Sequence, residues 1–461
     1  MDMSLAAPTG EPVSDDLYPS MATPDFSVVD AIPLAYTQPE TSYGYGGTHL
    51  MTLYYLNFHV AHPFLLPREV FLQSSPPSYL VDIVELIGLH YISPALVTSN
   101  RMSHLQATVQ DAVLSLEKVQ ALLLLSITQH GYTLAEAARE SLGQAIDGSL
   151  QLGLHCRDAA DVEMMQSAVR AESIRRTWWE VFIVDTLLAA VQVDGALQLT
   201  LEETPDVMLP CEQEAYEGGC VNIPMVSARD LGSSRHLFCN NNDLSSSAHR
   251  VEAAIILRRC LLAASQASID ALDASISAWF HRLPPAKRAI VNHDGGIDQM
   301  AFQAVMLMHC ASVYLHFPRS HLVAALPVTN QIFCSTAPRT LWPSTDPQLH
   351  TAKVLNAATS LSKLGSLSTS VTDQSPFFCC ILVLSSIIQV AIRSSGILRL
   401  SGFQHFLGLN FGVLKSMGEI WKIAAASRPK IRDAAMEVED ALERGNRTIE
   451  DIFTADSTQA G

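Results

Sequence analysis

With 461 residues, 48% of them hydrophobic and 16% charged, the chain is long enough for one large or two modest domains and must bury much of its apolar surface. A formal net charge of −17 leaves no basic stripe for a phosphate backbone, so the chain as written is expected to be a poor DNA binder by itself. Nine cysteines, without any C-x-x-C spacing, argue for reduced thiols in a nuclear or cytosolic setting and against a disulfide framework or a zinc module.

No Lys or Arg precedes Arg68, whereas acidic residues from Asp2 to Glu40 alternate with prolines at 8, 12, 19, 24, 33 and 39. Such a segment buries too little to offset its chain entropy, and residues 1–48 are predicted to be a disordered tail. Within it, DDLYPSMATPDF mixes acid with Leu17, Tyr18 and Phe26, a composition that fits a solvated tail or an amphipathic activation segment.

From residue 49 to 445 the signals are helical, and YLVDIVELIGLHYI, LEKVQALLLLSITQ, AEAARESLGQAIDGSLQLGLH and SIRRTWWEVFIVDT carry apolar residues at three- and four-residue spacing. Asp111 is placed to cap the second of these helices and Gly131 to close it. In the fourth, Ile174, Trp178, Val181, Phe182, Asp185 and Leu188 share a face, while Arg175, Trp179 and Thr186 occupy a neighbouring flank. The helix is therefore expected to be buried on most sides, with Arg175 and Arg176 at its start. Asp185 must then find an arginine or backbone donors, because an unpaired buried carboxylate is strongly destabilising.

An irregular connection is expected over 212–247, rich in Gly, Ser, Asn and acid. One helical pattern follows from His249 to Leu283, ending at Pro284-Pro285, and another from Asp298 to Phe317. After a second irregular stretch at 326–347, helices are expected at about 350–368, 376–397, 404–427 and 430–445, with a C-terminal tail at 446–461. The uncharged run Phe377–Ile392 is shorter than the roughly 20 apolar residues of a bilayer crossing, so it reads as a buried helix with Cys379 and Cys380 as core filling, and no membrane is expected. The whole is all-α, a multi-helix single domain with long irregular connections.

No nucleotide-binding glycine motif or nucleophile elbow occurs, and none of the 16 histidines falls in a metal-ligand spacing. His309 and His316 are seven residues apart on one helix, too far to ligate one ion together. Neither catalysis nor a cofactor is expected in this chain.

Several pieces occur in an order that carries a resemblance: VQALLLLS at 119–126, then Gly143 and Ala145, then Leu152, Gly153, Leu154 and His155 as LGLH. Next come Arg175, Arg176, Trp178, Trp179 and Asp185 within RRTWWEVFIVD, and Pro210 within DVMLPCEQEAYEGG. Over residues 75–425 the chain resembles the fungal-specific transcription factor domain, the middle homology region that accompanies the binuclear zinc cluster in fungal regulators; AWFHRLPP, YLHFPRS and LKSMGEIWKIA agree with its later half. The chain departs from it with Gly195-Ala196-Leu197 where the family often has G-R-P.

The resemblance implies a nuclear transcription regulator controlling a pathway such as a secondary-metabolite gene cluster, with the transcription machinery or another zinc-cluster regulator as partner and a small molecule as effector. Zinc is expected only if a cysteine cluster precedes the chain as written, and DNA only through that module or a partner. The alternative is a DNA-independent interaction protein that modulates a full-length relative.

Overall fold

The computed structural model describes residues 47–458 apart from 193–194, 202–203, 222–225, 233–243, 264–265, 293–294, 327–341, 368–369 and 397–402. The tail expected over 1–48 lies outside the described residues except at its end, where Gly47 and Thr48 open α1 (Gly47–Leu53). Described residues from 47 onward belong to one compact unit, residues 45–461. Among them are seventeen α-helices, and the extended pairings are two isolated antiparallel bridges, Met208–Ser227 and Val291–Ile297. The chain is all-α, as its periodicity predicts.

A π-turn continues α1, and α2 (Arg68–Gln73), α3 (Ser78–His90), α4 (Ser99–Gln110), α5 (Leu116–Gly131) and α6 (Ala135–Gln151) follow. Ser115, not Asp111, caps α5: its side chain accepts from Lys118 N, while the Asp111 N–H donates to Ala107 O at 3.2 Å in finishing α4. Gly131 ends α5 but does not make the left-handed turn. Thr133 does, at φ 66°, with Leu134 N donating to Gln129 O at 2.9 Å and Thr133 N to His130 O at 3.0 Å. A Cβ on Gly131 would instead stand 2.4 Å from the Trp421 ring, so the glycine is required by close packing.

After α7 (Arg157–Met164), Ser167 caps α8 (Ala168–Val191), the tryptophan helix. Arg175 and Arg176 lie two turns into it, a correction to their placement at its start. Its residues Ala171–Leu188 are all buried, which follows from a sequence apolar on every side. The stretch expected to be irregular over 212–247 contains α9 (Gln213–Glu217), and the serine run at its end starts α10 (Ser246–Leu261), capped by Ser245.

The single helix expected from His249 to Leu283 is two, α10 and α11 (Gln266–Arg282), and Pro285 opens the short α12 (Pro285–Ala289). Asp298 caps α13 (Gln299–His316). Most of the expected connection at 326–347 lies outside the described residues, and α14 (Pro347–Leu367) and α15 (Pro376–Ser395) follow. The helix expected at 404–427 is broken into α16 (Phe403–Met417) and α17 (Lys422–Thr458), the break letting the Trp421 indole sink against His90 at 4.2 Å between ring centroids. Helix α17 runs on to Thr458, so the stretch assigned to a tail from 446 is helical to 458.

Helices α5 and α6 form an antiparallel pair, α10 packs along α13, and α13, α14 and α15 are successive neighbours with α17 against α15. Helix α8 touches α5, α6, α7, α10 and α15. By length and composition Gln299–Arg319 and Pro376–Ser395 could cross a membrane, but 89% of each apolar window is buried inside the fold. Each fully buried Leu, Ile or Phe there contributes on the order of 1.5–3 kcal/mol.

Candidate functional site around the tryptophan helix

The two tryptophans of α8 are enclosed in different ways. Trp178 is 0% exposed, and its indole nitrogen has no hydrogen-bond partner, so it supplies volume; His155 flanks it at 5.8 Å between ring centroids. Trp179 donates from its indole nitrogen to Met208 O at 3.0 Å and meets Phe182 edge-on.

Charge along the helix is arranged in three buried sets. At the first, Glu172 accepts from Arg175 Nε and Arg176 Nε, both at 2.9 Å, and from Cys211 N at 2.8 Å. Arg176 then donates to Pro63 O at 3.2 Å, Gln213 Oε1 at 2.6 Å and Cys211 O at 2.9 Å, with its guanidinium 4.2 Å from the Tyr216 ring centroid. The Tyr216 hydroxyl donates to Leu65 O at 2.9 Å. One guanidinium thus straps two remote loops, before α2 and before α9, onto α8.

At the second, Arg250 grips Glu180 in bidentate fashion at 2.5 and 2.9 Å, and His62 Nδ1 lies 2.7 Å from Glu180 Oε1. Burial alone would raise the Glu180 carboxyl, but Arg250 and His62 outweigh it and hold the group at about 2. Burial lowers His62, which favours its neutral form; in the tautomer with the proton on Nδ1, that N–H donates to the carboxylate and Nε2, 3.0 Å away, accepts from the Ser375 hydroxyl that caps α15.

At the third, Asp185 accepts from Gln198 N at 2.8 Å, Leu199 N at 3.3 Å and Arg258 Nη1 at 2.7 Å. Both kinds of partner expected for Asp185 are present. Arg258 also donates to Leu199 O and lies over the Phe182 ring at 4.9 Å. Arg250 and Arg258 stand two turns apart on α10, so these two ion pairs fasten α10 along α8.

The remaining singled-out residues support the same helix. Leu152 ends α6, Gly153 takes φ 70°, and Leu154 N returns to Ser149 O at 2.9 Å, a Schellman turn that drives Leu154 into the core and His155 toward Trp178. Pro210 is buried, and its carbonyl accepts from the Ser245 hydroxyl at 2.6 Å, joining the strap to the cap of α10. His309 and His316 are not brought together: His309 packs on Phe280, whereas His316 faces His350 and Asp273. Among the described residues no group of three or more His, Cys, Asp or Glu is arranged to hold a metal ion.

Sequence reasoning missed Glu172, Glu180, His62, Arg250 and Arg258. Glu172 was detectable as the i−3 and i−4 neighbour of the arginine pair, and Arg250 and Arg258 as cations on one face of an apolar helix. Nothing in the sequence marks His62. Every carboxylate of α8 meets arginine, imidazole or backbone, so the three sets interlock elements of the fold.

Two cavities adjoin these clamps. One of about 550 Å³ lies between the π-turn and α9, with His59, Glu217 and Asp298 in its wall, and one of about 720 Å³ lies past the C-terminal end of α8, between Ala189, α10 and Pro318.

Residues 51–219 match the family model of the fungal specific transcription factor domain. The C6 finger domain transcription factor iacK of Pestalotiopsis fici (strain W106-1 / CGMCC3.15140) is 28% identical over 409 residues, which are 84% of this chain and 58% of the relative. The chain therefore spans under two thirds of the length of the curated relative it matches. No solved structure matches.

Proposed function

We propose, from the match of residues 51–219 to the fungal specific transcription factor domain, that the protein is a fungal transcription regulator whose helical body serves as a regulatory domain. What carries the reading is the agreement of that match with the chemistry of α8, whose carboxylates and arginines are consumed in holding helices together and not in reacting. The protein works in the nucleus, is not an enzyme, and controls a pathway such as a secondary-metabolite gene cluster. Its partner is the transcription machinery or another zinc-cluster regulator, and a small molecule bound between helices is the input. Zinc enters only through a cysteine cluster joined to this domain or carried by a partner.

The test is a fusion of the chain to a heterologous DNA-binding domain in a fungal reporter strain. Reporter output is expected to differ from that of the DNA-binding domain alone. An unchanged output from a fusion present in the nucleus overturns the proposal.

The net charge of −17 favours a second reading, in which DNA is reached through a partner. The chain alone is then expected to give no gel shift at physiological salt, and a shift would remove that reading.

A further inference from the structure

Five arginines are buried among the described residues, and four of them, Arg175, Arg176, Arg250 and Arg258, meet a carboxylate at 2.9 Å or less. The fifth, Arg319, meets none. It closes the short 3-10 turn Phe317–Arg319 after α13 and is 3% exposed. Its Nη1 donates to Leu315 O at 2.5 Å, its guanidinium faces the Trp342 ring at 5.2 Å, and its Nε is buried without a partner. The nearby Cys260 thiol offers no negative charge, since burial pushes it up to about 12. An uncompensated buried cation is costly, and the ring and one carbonyl offset only part of that cost.

Arg319 lies in the wall of the 720 Å³ cavity, among Leu201, Leu262, Pro318 and Trp342. Arg258 is the other arginine in that wall, and Asp185 already neutralises it. No Asp or Glu among the described residues lines the cavity. The volume falls within the roughly 300–1,000 Å³ range of small-molecule sites. The space therefore combines an apolar body, an aromatic face and one unanswered positive charge.

We propose that this cavity is a binding site for an apolar organic acid, the carboxylate resting on Arg319 and the hydrocarbon body against Trp342 and the leucine walls. A carboxylate there supplies both the missing counter-charge and an acceptor for the guanidinium. The site borders the Asp185–Arg258 pair, so an occupant touches the tie between α8 and α10. The inference rests on the regulatory reading for its meaning. Its test is binding by purified protein, so it and the reporter experiment fail separately.

Isothermal titration of the full chain with 1-naphthoate, cyclohexanecarboxylate and dodecanoate, each beside its neutral amide, provides the measurement, with inorganic phosphate as an anion lacking an apolar body. At least one acid is expected to bind about tenfold or more tighter than its amide, the scale of a charge-assisted hydrogen bond, and more tightly than phosphate. Arg319→Met should erase the preference for acid over amide while the thermal midpoint holds, because the variant removes an unpaired charge. Ala196→Trp, which puts an indole on an exposed residue of the same wall, should block the acid in a chain that keeps Arg319. No acid bound better than its amide, phosphate bound as well as the acids, or an acid preference surviving Arg319→Met would overturn the site. If Arg319→Met fails to fold, undiminished acid binding by Ala196→Trp overturns it instead.

Discussion

Trp178 makes no hydrogen bond through its indole nitrogen, yet none of its surface reaches solvent, so its contribution is the space it fills. Trp178→Ala is expected to lower stability by about 3–5 kcal/mol in urea unfolding, whereas Trp178→Phe should cost clearly less, since no hydrogen bond is lost. Equal losses for the two variants would contradict a role by volume alone. Thr133 presents the opposite case, a β-branched residue in the left-handed region at φ 66°, where an L side chain is disfavoured by about 1–2 kcal/mol. Thr133→Gly should therefore raise the urea midpoint, by about 1 kcal/mol of stability, and an unchanged midpoint would show that the turn is unstrained. The equivalent turn after α6 already has glycine, Gly153. That Gly131 would be required by Trp421, and not by its own turn, was not legible, because the ring arrives from the other end of the chain.

At the scale of elements, α8 and α10 are held by Arg250–Glu180 and Arg258–Asp185, both buried. Arg258→Met strands the Asp185 carboxylate in the interior and is expected to cost about 3–5 kcal/mol, while Asp185→Asn combined with Arg258→Met, which removes the charge but keeps an acceptor for the Gln198 N–H, should recover most of that loss. A double-mutant cycle on thermal unfolding measures the coupling, and a double variant as unstable as the single would show that the pair adds more than mutual neutralisation. The helical nature and all-round burial of α8 were legible because its apolar residues recur on every side. So was the need of Asp185 for a partner. Which arginine answers it was not, since α9 and a long connection intervene before α10. Breaks such as that between α16 and α17 escaped for a related reason: periodicity continues across them, and only the burial of Trp421 shows why the chain must turn.

Across the whole molecule, burial holds several imidazoles neutral, with His90 and His130 lowered to about 3 and His309 and His316 to about 4. Folded values below the unfolded value of about 6.5 mean that their contribution is complete above that pH and is lost as protons bind the unfolded chain on acidification. Glu180, held at about 2, adds a second loss, beginning near its ordinary value and complete near 2. The thermal midpoint should thus be level at pH 7–8 and fall progressively below about 6.5, and a midpoint constant from pH 7 to 4 would refute this. The all-α class was legible from periodicity at this scale, while the acid sensitivity was not, because exposure of a histidine is a property of the folded body. The distribution of the clamps also separates two boundaries that sequence families usually treat as one. The matched region ends at residue 219, whereas Arg250, Arg258 and the Ser375 hydroxyl on His62 all come later. A fragment trimmed to the match would retain two carboxylates evolved for an interior and discard the cations that make that interior tolerable. The smallest transplantable piece of this fold is accordingly larger than the matched region, and chimaeras between relatives should be joined outside the later helices.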